Sequence, residues 1–156
     1  MVDLRTLAEA YTKANEGCRL EAYQDTRGIW TIGYGETDPT IVQGVVWTQA
    51  QADARFDARW SEANGDAENC VSPVCWNAMG IARQAVLADM AFQLGFRGLR
   101  EFQSMRRALE EQRWADAAED ALESLAAKQA PNRWVRHARI LTEGDAAIVN
   151  GALPTS

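Results

Sequence analysis

The 156-residue chain has one histidine, His137, three cysteines at positions 18, 70 and 75, and four prolines. A single imidazole and three dispersed thiols do not make a His/Cys metal site, so neither a metal nor any other cofactor is expected. With no ligand cluster around it, His137 reads as part of a basic helix face with Arg133 and Arg136. Cys70 and Cys75 flank a proline-containing segment that can turn; they are expected to be reduced in a cytoplasm, and a bridge forms only if an oxidising compartment is reached. Cys18 reads as a small buried thiol. No uncharged apolar run approaches the ~20 residues that span a bilayer, and the first ten residues interleave charge with apolar side chains. That pattern predicts neither a signal peptide nor membrane insertion, hence a protein made and held in a cytoplasm that needs outside help to reach any target beyond it. Positive charge is also scarce: the net charge is -6, and residues 1–70 hold all of the imbalance, with 12 acids against 6 bases. Such a field disfavours nucleic acid and anionic membranes as partners.

What is present is ordinary for a folded domain that can bury a core unaided, with 47% hydrophobic and 24% charged residues. Leu4, Leu7, Ala8, Tyr11 and Ala14 recur at helical spacing over residues 3–16, and Gly17 stops that helix. The alternation through Cys18–Tyr23 and the β-branched, aromatic run Ile29–Tyr34 predict a hairpin about Gly28. Thr48–Gln51 has the form of a capping box opening a helix to about Ala63, with Asn64-Gly65 weakening or ending it. Residues 64–75, with Ser72-Pro73, read as a linker. Trp76–Leu94, apolar on nearly every face, predicts a central buried helix closed by Gly95. Shorter helices follow around Met105, over Trp114–Leu125 and from Pro131. The class is α+β and mostly helical: a hairpin lobe with its connecting helix over residues 1–63, and a helical lobe over residues 76–150.

This layout puts Glu16 at a helix C-terminus, Asp25 at the hairpin turn, and Thr31 across from Asp25, three positions on either side of Gly28. A carboxylate at a helix C-terminus sits at the unfavourable end of the macrodipole, so Glu16 is better explained by a task than by structure. Alone, the spacing E-x8-D-x5-T is weak, since Asp is common in turns and Thr in strands.

The text around these residues is specific. Glu16-Gly17-Cys18-Arg19-Leu20, Tyr23-Gln24-Asp25-Thr26 and Trp30-Thr31-Ile32-Gly33-Tyr34-Gly35 closely resemble the active-site stretch of phage lysozymes, glycoside hydrolase family 24. The resemblance continues in Thr48–Phe56, Met90–Gly95, Arg113–Ala118 and Pro131-Asn132-Arg133. It implies a lysozyme-like two-lobe fold that cleaves the β-1,4 bond between N-acetylmuramic acid and N-acetylglucosamine in bacterial peptidoglycan, with inversion. Glu16 would protonate the leaving oxygen, while Asp25 and Thr31 would hold and activate water on the other face of the sugar. That division requires two carboxyl groups in unlike surroundings. The resemblance places substrate contacts at Gly35, Phe92, Gln93, Asn132 and Arg133, the last two alternatively an inter-lobe contact, and Phe92 alternatively core. Of the six tryptophans, Trp76, Trp114 and Trp134 read as packing residues, and Trp30 is the one placed to meet sugar.

The biology that this implies is a monomeric endolysin, stored in the host cytoplasm and admitted to the periplasmic wall by a separate membrane protein. A tail-associated or bacteriocin lysozyme module, or a non-catalytic peptidoglycan-binding descendant, are the alternatives. Glu36 departs from the family, which commonly has His there, and adds a third carboxylate near the other two. Arg59, on the apolar stripe of the helix opened by Thr48, needs an anion or a route to water; the two are expected to form an ion pair, the alternative being Glu36 facing solvent while Arg59 snorkels.

Overall fold

The computed structural model describes residues 3–153. Helix α1 (Leu4–Glu16) starts under Asp3, whose carboxylate accepts the Thr6 N–H at 2.9 Å, and ends at Gly17, which takes φ +67°. Its inward face is Leu7, Ala8, Tyr11 and Thr12. Strands β1 (Arg19–Gln24) and β2 (Trp30–Gly33) pair antiparallel as expected, but in a different register: Tyr23 lies opposite Thr31 and Gln24 opposite Trp30. Thr31 is therefore not the cross-strand partner of Asp25. The turn is closed by the Asp25 carboxylate, which accepts the Arg27 and Ile29 N–H groups, and Gly28 supplies the left-handed residue (φ +80°) at the end of the loop, not at its centre.

Helix α2 (Gln49–Asn69) opens on the Thr48–Gln51 capping box. It runs through Asn64-Gly65 instead of ending near Ala63, because Ala63 and Ala67 are both buried; packing outweighs the cost of about 1 kcal/mol for one interior glycine. The expected linker shrinks to Cys70–Ser72. Helix α3 (Pro73–Arg100) begins under the Ser72 hydroxyl, earlier than the expected Trp76, and is broken twice, at Gly80 and Gly95, both at φ +73°. At Gly80 the break is held by Asp145, which accepts the Ala82 N–H at 2.8 Å; a Cβ on Gly80 would stand 2.8 Å from that carboxylate. The piece between the breaks carries the core, with Ala85–Phe92 buried at every position.

Helices α4 (Gln103–Glu110), α5 (Trp114–Leu122), α6 (Leu125–Gln129), α7 (Pro131–Glu143) and α8 (Ala146–Val149) complete the chain. The stretch expected as one helix to Leu125 is interrupted at Ser124, whose hydroxyl accepts the Ala127 N–H and starts α6. Trp134 is fully buried and stacks on Phe102 with centroids 5.6 Å apart, an aromatic anchor whose truncation costs about 3–5 kcal/mol. The architecture is α+β and mostly helical. Among the described residues no helix is long and apolar enough to cross a membrane. Cys70 and Cys75 are free, buried thiols, and burial pushes both away from the reactive thiolate. Cys18 is exposed, contrary to the expectation of a buried thiol, because the chain has left α1 at Gly17 and has not yet packed.

Candidate active site

Glu16 ends α1 where that helix meets α3 and α7. Its side chain is 17% exposed, and Oε1 accepts a hydrogen bond from Arg133 Nη2 at 2.8 Å. Among the described residues no donor reaches Oε2. That oxygen faces Gly35, where a Cβ would stand 3.4 Å away, so the absence of a side chain at 35 keeps the carboxyl edge open. Gly35 adopts φ +95°, which other residues rarely tolerate.

Asp25 is held quite differently. Oδ1 accepts Arg27 N–H at 2.8 Å and Ile29 N–H at 2.9 Å, and Oδ2 lies 3.4 Å from Arg27 Nη2. The Ile29 amide, outweighing slight burial and aided by Arg27, holds this carboxyl below the ordinary 3.8, so it is ionised at any pH near neutral. Thr31 is buried, and its hydroxyl donates to the Ile29 carbonyl at 3.0 Å, which leaves its oxygen free to accept. Although Thr31 does not pair with Asp25 across the strands, both bond to Ile29, one through its carbonyl and one through its N–H.

The remaining expected positions divide. Arg133 is an inter-lobe contact, only 10% exposed, bridging Glu16 to Asp89. Asn132, one residue earlier, is exposed on the first turn of α7. Gln93 accepts the Trp134 indole N–H at 3.2 Å and lines a hollow of about 350 Å³ with Arg59, Glu62 and Asp66. Phe92 does not present its ring as cleft surface: it is 3% exposed and packs 5.3 Å from Phe56, with the Arg59 guanidinium 4.0 Å from its ring centroid. A larger hollow, about 580 Å³ between α3, α4, α5 and α6, touches neither carboxylate. Glu36 and Arg59 meet at 3.3 Å, and Arg59 also donates to the Gly35 carbonyl at 3.3 Å and the Phe92 carbonyl at 3.1 Å. One guanidinium thus ties the end of the hairpin to α3.

Sequence reasoning missed Asp89 and misplaced His137. His137 is wholly buried instead of lying on an exposed basic face; it shares the Arg133 face of α7, one turn on, but that face turns inward. Its Nε2 is 3.0 Å from Asp89 Oδ2, a close approach out of line for a good hydrogen bond, and Nδ1 is 2.7 Å from the Tyr11 hydroxyl. Burial presses the Asp89 carboxyl upward, yet His137 and Arg133 overcome it and bring the group to about 2. Burial likewise lowers His137, against the pull of Asp89, and so favours neutral imidazole. The available signal was Asp89 itself: a carboxylate amid the apolar run Ala85–Phe92 must find a cation.

Two carboxyl groups in unlike settings, one enclosed beside a cation and one ionised on a hairpin, on a mostly helical α+β fold, are what a glycosidase of the lysozyme type requires. Comparison with known proteins makes the class definite. The phage lysozyme family profile matches residues 13–139, so the chain belongs to that family and is a peptidoglycan-degrading lysozyme. Probable T4-type lysozymes 1 and 2 of Dictyostelium discoideum are each 27% identical to it, over 85% and 78% of this chain and 91% and 85% of theirs. The pre-baseplate central spike protein Gp5 of Enterobacteria phage T4 is 28% identical over 85% of this chain, a match that occupies 27% of the spike protein.

Proposed function

We propose that this lysozyme hydrolyses the β-1,4 bond between N-acetylmuramic acid and N-acetylglucosamine with inversion, using Glu16 as general acid and Asp25 with Thr31 to position and activate water. The observation that carries this reading is the contrast between the two carboxyl groups. Asp25 is stabilised as an anion by two amides and a guanidinium, and an ionised carboxylate suits the partner that takes a proton from water. Glu16 offers an oxygen with no donor among the described residues at an open edge beside Gly35, which suits the partner that hands a proton to the leaving sugar. The Thr31 oxygen, its proton committed to Ile29, is left to accept from the same water.

For deployment, the reading is an endolysin held in the host cytoplasm until a separate membrane protein admits it to the periplasmic wall. Use as a tail-associated module is the second reading, favoured by the resemblance to part of a phage spike protein. The chemical assignment is tested on purified peptidoglycan. Glu16→Gln is expected to lower turnover by at least ~10²-fold with the fold retained, and NMR of the freshly cut sugar is expected to show the α configuration. Near wild-type turnover would remove Glu16 from the role of acid, and a β product would remove the water-activating role of Asp25.

A further inference from the structure

Arginine does not give up its proton near neutral pH. A guanidinium favours the ionised form of a carboxyl group bonded to it, and Arg133 Nη2 lies 2.8 Å from Glu16 Oε1. A general acid must do the opposite and keep a proton until the substrate takes it. A second anion on the same guanidinium offsets this pull, and one is present. Asp89, fully buried on α3, engages Arg133 on two atoms, with Nε to Oδ2 at 3.0 Å and Nη2 to Oδ1 at 3.1 Å, so Nη2 is shared between Asp89 and Glu16.

We propose that Asp89 is a positioning residue that sets the protonation of Glu16, by cancelling the charge of Arg133 so that the acid keeps its proton at working pH. This inference rests on reading Glu16 as the general acid. Behind Asp89 the buried row continues through His137 and Tyr11. For the Tyr11 hydroxyl to donate to Nδ1, the imidazole must be neutral with its proton on Nε2, the nitrogen that faces Asp89. The Glu16–Arg133–Asp89–His137–Tyr11 row is then electrically neutral when Glu16 is protonated, and carries one excess negative charge when it is not. A buried site disfavours the unbalanced state. The other charged groups around the row are partnered or exposed: Arg59 on α2 meets Glu36 of the hairpin, Lys13 on α1 lies 3.7 Å from Asp53 on α2, and Arg136 on α7 is exposed beside Asn15 of α1. Among the described residues, Asp89 is the anion besides Glu16 that meets Arg133.

The test is the pH profile of kcat/KM for Asp89→Asn on soluble peptidoglycan fragments. The alkaline limb is expected to move at least ~1 unit toward acid, while the acid limb, set by Asp25, stays in place. The double variant Asp89→Asn/Arg133→Gln removes anion and cation together and is expected to return the alkaline limb to within about half a unit of wild type. Two carboxyl ¹³C NMR titrations read the same quantity without turnover. In Asp89→Asn the Glu16 resonance is expected to titrate at lower pH than in wild type, and in the wild-type protein Asp89 is expected to stay ionised throughout the titration of Glu16. A folded Asp89→Asn with an unmoved alkaline limb, a shift that the double variant does not reverse, or an Asp89 that takes up protons in step with Glu16 each overturns the proposal. If Glu16→Gln retains turnover, the assignment of the acid is what fails; the NMR titrations still decide whether Asp89 compensates Arg133.

Discussion

Glu16 stands where three helices converge, and its charged partner Arg133 is 117 residues away in sequence, whereas the amide donors of Asp25 lie no more than four residues from it. The helix junction is a tertiary construction that exists only when α1, α3 and α7 are docked. The hairpin turn is local and closes itself through one carboxylate and two amides. The same fold therefore supplies one carboxyl group bonded across helices to a buried charged row and one bonded to the amides of its own turn, and the contrast between the two settings follows from that difference in construction.

The largest expected effect breaks the comparison at the junction. Arg133→Gln leaves the buried Asp89 without its cation and is expected to cost about 3–5 kcal/mol of stability, read from urea unfolding. Asp25→Asn keeps an oxygen to accept the Arg27 and Ile29 amides, so its unfolding midpoint is expected to stay close to wild type while turnover falls at least ~10²-fold. Equal stability losses in the two variants would show that the hairpin is not a self-contained unit.

A smaller effect separates the two regions by pH. The folded protein lowers His137 below the ordinary 6.5, chiefly through burial, so the unfolded chain takes up this proton first as pH falls. The corresponding stability is complete above about pH 6.5 and is lost as pH drops through the lower folded value. Asp89, lowered from 3.8 to about 2, adds a second contribution that is present above 3.8 and lost toward 2. Thermal stability should therefore fall below pH 6.5, before the carboxylates of the hairpin begin to titrate. His137→Gln, which keeps an oxygen to accept from Tyr11 and carries no titrating group, should flatten that first decline; a Tm constant from pH 7 to 5 in wild type would contradict the assignment.

The same contrast governs what could be read in the sequence. Features written in a few neighbouring residues were legible: the Gly17 stop that puts Glu16 at a helix end, the Thr48–Gln51 capping box, the start at Pro131 and the existence of the hairpin. Its register was not, since it depends on which amides the Asp25 side chain captures, and the spacing about Gly28 alone placed Thr31 opposite the wrong residue. Asn64-Gly65 carries a local signal to stop that burial of Ala63 and Ala67 overrides. Asp89 and His137 are 48 positions apart in the sequence, and nothing near either one announces that they meet. The roles of the residues at the site came from the resemblance to a family; the charge arrangement behind Glu16 came only from the fold.

The smallest expected effect concerns Glu36 and Arg59, the pair that joins the two regions. Glu36 closes the hairpin with its side chain 12% exposed, and Arg59 rises from α2 with its side chain 35% exposed. The pair is thus partly solvated, and a coupling of about 0.5–1 kcal/mol is expected from the double-mutant cycle of Glu36→Gln with Arg59→Gln. Two features keep the value low. Arg55 comes within 4.0 Å of Glu36 and can take over part of its charge, and Arg59 keeps its bonds to the Gly35 and Phe92 carbonyls when Glu36 is neutralised. The single variants should differ accordingly. Arg59→Gln gives up all three contacts and its place over the Phe92 ring, so it should destabilise more than Glu36→Gln and should also loosen the hairpin against α3. Because Gly35 lies between this pair and Glu16, that loosening should lower turnover in Arg59→Gln more than in Glu36→Gln. Stability losses that simply add, with turnover unchanged in both variants, would leave the hairpin held by Tyr34, Gln49 and Asp53 on its other side and reduce the ion pair to a surface contact.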